Sequence, residues 1–272
     1  MNDIGAPLIA ELLLLGSFTG FFAGLLGIGG GMLMVPFMTW ILGSRGVPPG
    51  LSVKMAIATS MATILFTSLS SVRAYHARGA VRWDLVRSLA PGIVGGGLLS
   101  GAGLFAVLKG QGLALFFACF IGFSATQMLL DRKPKPSRQM PGMAAQSAVG
   151  GCIGLLSGLV GAGGAFMSVP FMTWCNVPIR QAVGTSAALG FPIALANTVG
   201  YIVAGRSMDP ALPGAWGYLY LPALAIVALA SVTMAPLGAR VAHRTDTVKL
   251  KRVMALMLFG LAAYMLRKAF VV

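Results

Sequence analysis

Long apolar stretches separated by short polar or charged segments run along the whole chain of 272 residues. Eight of them are long enough to cross a bilayer as a helix, which takes roughly 17 to 25 residues. They lie at about residues 8–27, 53–72, 88–108, 112–130, 143–160, 181–204, 217–239 and 253–270. Shorter apolar arms follow two of them, at 31–42 and 165–175. This pattern predicts an all-α polytopic membrane protein.

Two stretches interrupt this pattern in the same way. "GLLGIGGGMLMVP" occupies Gly24 to Pro36, and "GLVGAGGAFMSVP" occupies Gly158 to Pro170. Glycine leaves a helix loose and proline removes a backbone donor, so both stretches are predicted to be breaks between a helix and a shorter apolar arm. The surrounding segments, 20–40 and 154–174, are identical at more than half of their positions, including the run VPFMTW.

The chain is therefore predicted to consist of two homologous halves that form one transport domain. The first membrane repeat covers residues 1–130 and the second covers residues 143–272. Residues 131–142, rich in proline and cations, are predicted to form an exposed linker. Each half is expected to contain a broken, re-entrant helix pair at its glycine motif and three further membrane helices.

The distribution of positive charge distinguishes parallel from inverted halves, because short cytoplasmic loops retain Lys and Arg. If eight helices each cross once, the two sides hold 11 and 9 of these residues, with little bias. If each break returns the chain to its side of entry, the sides hold 14 and 6. We therefore expect inverted repeats, with the linker cytoplasmic and both termini outside. The net charge of +14 lies in loops between spans, so it does not indicate nucleic-acid binding.

Inverted repeats would bring the two broken helices together near the bilayer midplane. Helix N-termini present free N–H groups and a positive dipole there, which favours an anionic substrate. Threonine and serine pairs that recur at the same repeat position could add neutral donors, as could one amide in an otherwise apolar span. The predicted substrate-binding residues are Gly29, Gly30, Gly31, Thr59, Ser60, Gly163, Gly164, Ala165, Thr185, Ser186 and Asn197.

Further hydroxyls extend along one face of the helix that carries Ser60, at Thr63, Thr67 and Ser71. They could line an anion path, or they could bond back to their own helix and hold neighbouring helices together. Glycine pairs spaced four apart at 92–96, 97–101 and 150–154 are predicted to allow close helix packing.

The doubled glycine motif, with "ATS" or "GTS" in the helix that follows each copy, resembles the TauE/SafE family of sulfite and organosulfonate exporters. The resemblance spans nearly the whole chain. It implies a carrier of small sulfur-containing anions in the bacterial inner membrane. The second copy has Ala165 where the first has Gly31, so the two helix ends need not contribute equally.

Other classes of function find little support in the residues. "GIGGGM" does not match the GxGxxG spacing, and neither HExxH nor GxSxG occurs, so an enzyme is not expected. No cofactor is expected, and Cys119, Cys152 and Cys175 lack the spacing of a metal site. Glu11 is the one acidic residue inside a predicted span, and we expect it to cap or anchor the first helix. A passive anion channel and an importer of a similar anion remain as alternatives, and the oligomeric state stays open.

Overall fold

The computed structural model describes residues 5–26, 30–130, 138–242 and 247–270. The helices of the first half are α1 (Ala6–Leu26), α2 (Gly31–Ser44), α3 (Pro49–His76), α4 (Trp83–Leu98), a π-helix (Leu99–Leu104), α5 (Phe105–Val107) and α6 (Gly110–Leu130). Those of the second half are α7 (Met143–Val160), α8 (Ala165–Trp174), α9 (Ile179–Gly205), α10 (Leu221–Ala242) and α11 (Thr247–Phe270). Within the described ranges, eight helical segments are long and apolar enough to cross a membrane. The predicted all-α polytopic membrane fold is confirmed.

One predicted span begins too early. Residues 217–220 belong to a small antiparallel hairpin of β1 (Ala215–Trp216) and β2 (Leu219–Tyr220), and α10 starts only at Leu221. Gly217 turns this hairpin with a φ of 56°. The segment is apolar and aromatic, and periodicity alone cannot tell a short apolar strand from the start of a helix.

The two longest helices, α3 and α9, pack against each other and hold the most buried spans of the molecule. Around them, α1 packs on α10, α4 packs on α7, and α6 packs on α11. In chain order, α1, α4 and α6 correspond to α7, α10 and α11. The pair of α1 with α10 therefore corresponds to the pair of α7 with α4, and the pair of α6 with α11 corresponds to itself. The helix pairing is therefore symmetric between α1–α6 and α7–α11, around the central pair of α3 and α9.

The first glycine break turns the chain back along α1. At its start, Gly30 lies beside α1, since a Cβ placed on it would be 3.1 Å from the Thr19 carbonyl oxygen. Farther along, the rings of Phe18 and Phe37 lie 5.9 Å apart. Near the other end, Arg45 Nη2 lies 3.1 Å from Glu11 Oε2. These contacts run in opposite order along the two helices, so α1 and α2 form an antiparallel hairpin.

The second break has the same consequence. A Cβ on Gly164, at the start of α8, would be 3.1 Å from atoms of Ile153 and Ser157 in α7. At the other end of α8, the backbone carbonyl of Trp174 accepts a hydrogen bond of 3.3 Å from Arg138, which precedes α7. The Arg138 guanidinium also lies 4.7 Å from the centre of the Trp174 ring. Helices α7 and α8 are therefore antiparallel as well.

Stripes of small residues bring the outer helix pairs into backbone contact. A Cβ on Gly150 or Gly154 of α7 would lie less than 3.0 Å from the backbone of α4, and the same holds for Gly92 and Gly96 of α4 against α7. On α1, Gly20 approaches Ser231 of α10 equally closely. The predicted packing role of these glycine pairs is confirmed, because any side chain there would push the helices apart.

Candidate functional site

The two glycine breaks meet in the centre of the molecule. A Cβ on Gly31, the first residue of α2, would lie less than 3.0 Å from the carbonyl oxygen of Gly161, which follows α7. Ala162 Cα lies 3.3 Å from the same position. The structure thus brings together the start of the first arm and the loop of the second break. Of the predicted glycines, Gly29 lies outside the described residues.

The backbone of the second break depends on glycine. Gly161 and Gly164 adopt left-handed conformations with φ of 69° and 73°. Residues with a Cβ rarely occupy that region, so a substitution there is strained whatever space surrounds it. The backbone N–H groups of Gly161 and Ala162 donate to the Ser157 carbonyl and close the last turn of α7. Gly163 and Gly164 then lead directly into α8, whose first residue, Ala165, is buried.

The repeated serines lie at the breaks. Ser60 of α3 is fully buried and donates a hydrogen bond of 3.2 Å to the Gly161 carbonyl. Ser186 of α9 accepts a hydrogen bond of 2.7 Å from Ser168 in the first turn of α8. Both hydroxyls therefore sit within one helical turn of a break, as the repeat pattern predicts.

The repeated threonines have a different environment. Thr59 Oγ1 accepts a hydrogen bond of 3.1 Å from the backbone N–H of Tyr220, just before α10. Thr185 Oγ1 accepts one of 3.0 Å from the backbone N–H of Arg82, just before α4. Each hydroxyl satisfies a backbone donor at a helix start. The hydroxyls of Thr59 and Thr185 therefore contact the residues just before α10 and α4, and not the glycine breaks.

A small cavity lies beside Gly30 and Gly31, with room for about one water molecule. Hydroxyls from three helices line it, and the residues around it carry no charge. The hydroxyls belong to Thr19, Ser60, Thr63, Thr67 and Ser231. The rest of the wall is formed by Gly20, Ala23, Met34 and Ile64. Thr63 and Thr67 donate back to carbonyls of α3, so in this conformation their hydroxyl hydrogens are already used within the helix.

Two of the lining hydroxyls, Thr19 and Ser231, were not among the predicted site residues. They come from α1 and α10, whose pairing becomes visible only in the folded chain. Their hydroxyls donate to the carbonyls of Leu15 and Gly16, at 2.8 Å and 2.9 Å. Nothing in the local sequence distinguishes them from other hydroxyls within apolar helices.

A second cavity of about 270 Å³ lies on the other side of Gly30 and is apolar. Its walls are formed by Phe22, Ala23, Met32, Leu33, Phe166, Met254 and Leu258. Gly30 and Ala23 border both cavities. The start of α2 therefore separates a hydroxyl-lined space from an apolar one.

Asn197 does not line either cavity. Its side chain is fully buried in α9, and its amide nitrogen donates to the carbonyls of Ile193 and Gly154, at 2.9 Å and 3.3 Å. Asn197 therefore lies at the junction of α9 with α7.

Glu11 pairs with Arg45 at 3.1 Å, and both side chains are about one-third exposed. The pair joins the outer ends of α1 and α2. This is the anchoring role expected for Glu11, and it lies at the end of the bundle rather than at the breaks.

Comparison with known proteins gives a consistent family assignment. The family described as "Sulfite exporter TauE/SafE" matches residues 12–265. A "Probable membrane transporter protein" of Haemophilus influenzae is 35% identical over 258 residues, covering 94% of this chain and 97% of the relative. One of Methanocaldococcus jannaschii is 24% identical and covers 95% of this chain and 96% of its own. No solved structure gave a significant match.

Proposed function

The chain belongs to the sulfite exporter TauE/SafE family, and from this premise we propose that it exports small sulfur-containing anions such as sulfite or organosulfonates. Its relatives are membrane transporters, so the protein is a transporter and not an enzyme. The proposed location is the bacterial inner membrane. A passive anion channel and an importer of a similar anion are the alternatives.

We propose that the two halves are inverted repeats, residues 1–130 and 143–272, joined by a cytoplasmic linker at 131–142. Each glycine break returns the chain to the side where its hairpin began, so the hairpin adds no net crossing. The three crossings of each half are then made by α3, α4 and α6, or by α9, α10 and α11. Lys268 Nζ, in the last turn of α11, lies 3.7 Å from a Cβ position on Gly43, near the end of α2. Because α2 runs back along α1, its end lies beside the start of α1. The contact therefore supports a location of both termini on the same side. This topology gives the 14 to 6 distribution of Lys and Arg.

The observation that carries the proposed site is the approach of Gly31 to the Gly161 carbonyl and Ala162. It places the N-terminus of α2 beside the second break, with buried hydroxyls around it and no charged side chain in the cavity wall. The first N–H groups of a helix lack intrahelical partners and carry the positive end of its dipole. Such a site favours an anion over a cation or a neutral solute.

The proposed substrate ligands are Gly29, Gly30, Gly31, Ser60, Gly163, Gly164, Ala165 and Ser186, with Thr59, Thr185 and Asn197 supporting them from the adjoining junctions. The cavity beside Gly30 is too narrow for a sulfonate group in this conformation. Binding must therefore separate the walls, which is the behaviour of a carrier that alternates between states rather than of a permanently open pore.

A binding screen with purified protein tests the substrate class. Sulfite, thiosulfate, sulfoacetate, taurine and sulfate are titrated separately, with chloride as the control anion. The proposal predicts saturable binding of at least one of the first four compounds and weaker binding of chloride. Equal binding of chloride and every sulfur compound would contradict the proposed selectivity.

Topology is tested with reporters fused to each terminus and inserted at Lys133. We expect both termini outside and the linker in the cytoplasm. A cytoplasmic C-terminus would contradict the 14 to 6 assignment of Lys and Arg. If the linker is cytoplasmic as well, the second half crosses an even number of times and the inverted arrangement is wrong.

A further inference from the structure

The hydroxyl groups that line the cavity beside the start of α2 use their hydrogens elsewhere. Thr19 and Thr63 each donate to a carbonyl one turn earlier in their own helix, at 2.8 Å and 2.9 Å. Thr67 does the same at 3.4 Å. Ser231 donates across to α1 at 2.9 Å, and Ser60 donates across to the second break at 3.2 Å. A hydroxyl that has given its hydrogen to a carbonyl offers other neighbours only lone pairs.

The cavity therefore offers oxygen lone pairs to whatever enters it. Its hydroxyls come from α1, α3 and α10, and the rest of its wall consists of glycine, alanine, methionine and isoleucine. None of these side chains carries a charge or an N–H donor. The donors at this site belong to the backbone, at the first turn of α2, where N–H groups have no partner within the helix. An anion bound here meets backbone donors on one side and hydroxyl oxygens on the other.

This combination suits one kind of anion. Hydroxyl oxygens that can only accept a hydrogen bond repel the bare oxygens of a fully deprotonated ion, but they bind the O–H group of a partly protonated one. The number of charges is limited as well. A helix N-terminus supplies roughly half a positive charge, and the cost of burying an ion without a cationic partner grows as the square of its charge. The site therefore opposes a second negative charge.

We propose that the protein binds singly charged sulfur oxyanions that carry their own O–H donor, hydrogensulfite above all, and rejects dianions such as sulfate and fully deprotonated sulfite. This selectivity rests on the proposed function, because the cavity beside Gly30 and Gly31 is then part of the anion's binding site. The charged oxygens face the start of α2, and the O–H group donates to the hydroxyl oxygen of Thr19 or Thr63. Sulfite exchanges this proton near neutral pH, so its binding depends on pH although no side chain in the cavity wall titrates.

The proton then crosses the membrane on the anion rather than on the protein. Of the described acidic residues, Glu11 and Asp84 lie within membrane-crossing helices. Glu11 pairs with Arg45, and Asp84 pairs with Arg82, and all four side chains are partly exposed. Neither carboxylate lines the cavity, so neither is placed to give a proton to the bound anion.

Isothermal titration calorimetry of the purified full-length protein tests this selectivity with four probes. Sulfite is titrated below and above the pH at which hydrogensulfite loses its proton. Isethionate and ethanesulfonate are singly charged throughout this range and differ by one O–H group, whereas sulfate is a dianion without a donor. We expect sulfite affinity to fall about tenfold for each pH unit above that point, while isethionate affinity stays constant. Isethionate should bind about tenfold more tightly than ethanesulfonate, and sulfate more weakly than both.

Variants of the cavity wall test which oxygens accept the O–H group. Thr19→Val and Thr63→Val are combined, which removes both oxygens and nearly keeps the shape of the two side chains. The control is Thr39→Val in α2, because the Thr39 hydroxyl is buried and donates to the Val35 carbonyl at 2.8 Å but does not line the cavity. We expect the double variant to bind isethionate and ethanesulfonate equally, and the control to keep the preference of wild type.

Sulfite affinity that does not change with pH would overturn the proposal, as would equal affinity of wild type for isethionate and ethanesulfonate. A folded double variant that retains the preference for isethionate would overturn it too. Failure of the protein to bind any of the sulfur anions is a different result, because it would refute the proposed function and the selectivity with it.

Discussion

The junctions of α1 with α10 and of α7 with α4 correspond to each other in chain order. They differ in whether their buried serine hydroxyls are hydrogen-bonded. At the first junction, Ser231 donates to the Gly16 carbonyl at 2.9 Å. At the second, Ser100 and Ser157 have no hydrogen-bond partner and face α7 and the second break. Within the described ranges, glycines pack closely at both junctions, and the unpaired serine oxygens lie at the junction of α7 with α4.

The repeat-equivalent positions in the central helices show the same contrast. Asn197 in α9 is fully buried and bonded to two carbonyls, whereas Ser71, its counterpart in α3, is partly exposed. Meanwhile the hydroxyl-lined cavity lies on the side of α2 and α3. The two sides therefore differ in character, with a hydroxyl-lined cavity beside the first arm and a buried polar junction beneath the second break.

The largest expected effect comes from Gly31→Ala. Its Cβ would overlap the Gly161 carbonyl, so either α2 or the second break must move. Overpacking of this kind costs about 1 to 3 kcal/mol, and it separates the two breaks. We expect a lower unfolding temperature and loss of substrate binding. The control is Gly112→Ala on α6, where a Cβ meets no atom within 4 Å and stability should stay equal or rise. Equal behaviour of the two variants would contradict close contact between the breaks.

A smaller difference is expected between Asn197→Ala and Ser71→Ala. The first substitution leaves a cavity and removes donors from the Ile193 and Gly154 carbonyls, which should cost about 2 kcal/mol. The second changes a partly exposed hydroxyl and should stay within about 0.5 kcal/mol of wild type. Equal loss of stability for both variants in denaturant titrations would contradict the difference between Asn197 and Ser71.

The smallest expected difference is between Ser231→Ala and Ser157→Ala. Ser231→Ala removes a buried hydrogen bond and should destabilise the protein by about 1 kcal/mol. Ser157→Ala removes an atom without a partner and should be neutral or slightly stabilising. Thermal unfolding of both variants in one detergent gives the comparison. A greater loss for Ser157→Ala would show that its hydroxyl is already bonded.

Much of the fold can be predicted from the apolar stretches and from the positions of the glycines. The apolar stretches predict the crossing helices, and the glycines predict where α1 and α7 end, because neither feature depends on distant partners. Both arms begin close to their predicted starts, at Gly31 and Ala165. The prolines within the arms, Pro36 and Pro170, lie inside α2 and α8 without ending them. The breaks are thus due to glycine rather than to proline.

The polar contacts were harder to predict. Repetition directs attention to Ser60 and Ser186, which lie beside the second break, but it cannot tell that Thr59 and Thr185 accept backbone hydrogen bonds from Tyr220 and Arg82. Those donors lie more than 100 residues away from either threonine. Unpartnered atoms such as Ser100 Oγ are equally invisible in the sequence, since most hydroxyls in membrane helices bond back to their own backbone.

The most direct test of the central claim is counterflow of labelled sulfite in proteoliposomes that contain wild type, Gly30→Leu, Gly164→Leu or the exposed control Gly112→Leu. A carrier that binds its anion between the two breaks predicts saturable counterflow in wild type and Gly112→Leu. It also predicts loss of counterflow in both break variants while they remain folded. Flux that does not saturate, or unchanged counterflow in folded Gly30→Leu and Gly164→Leu, would contradict the account.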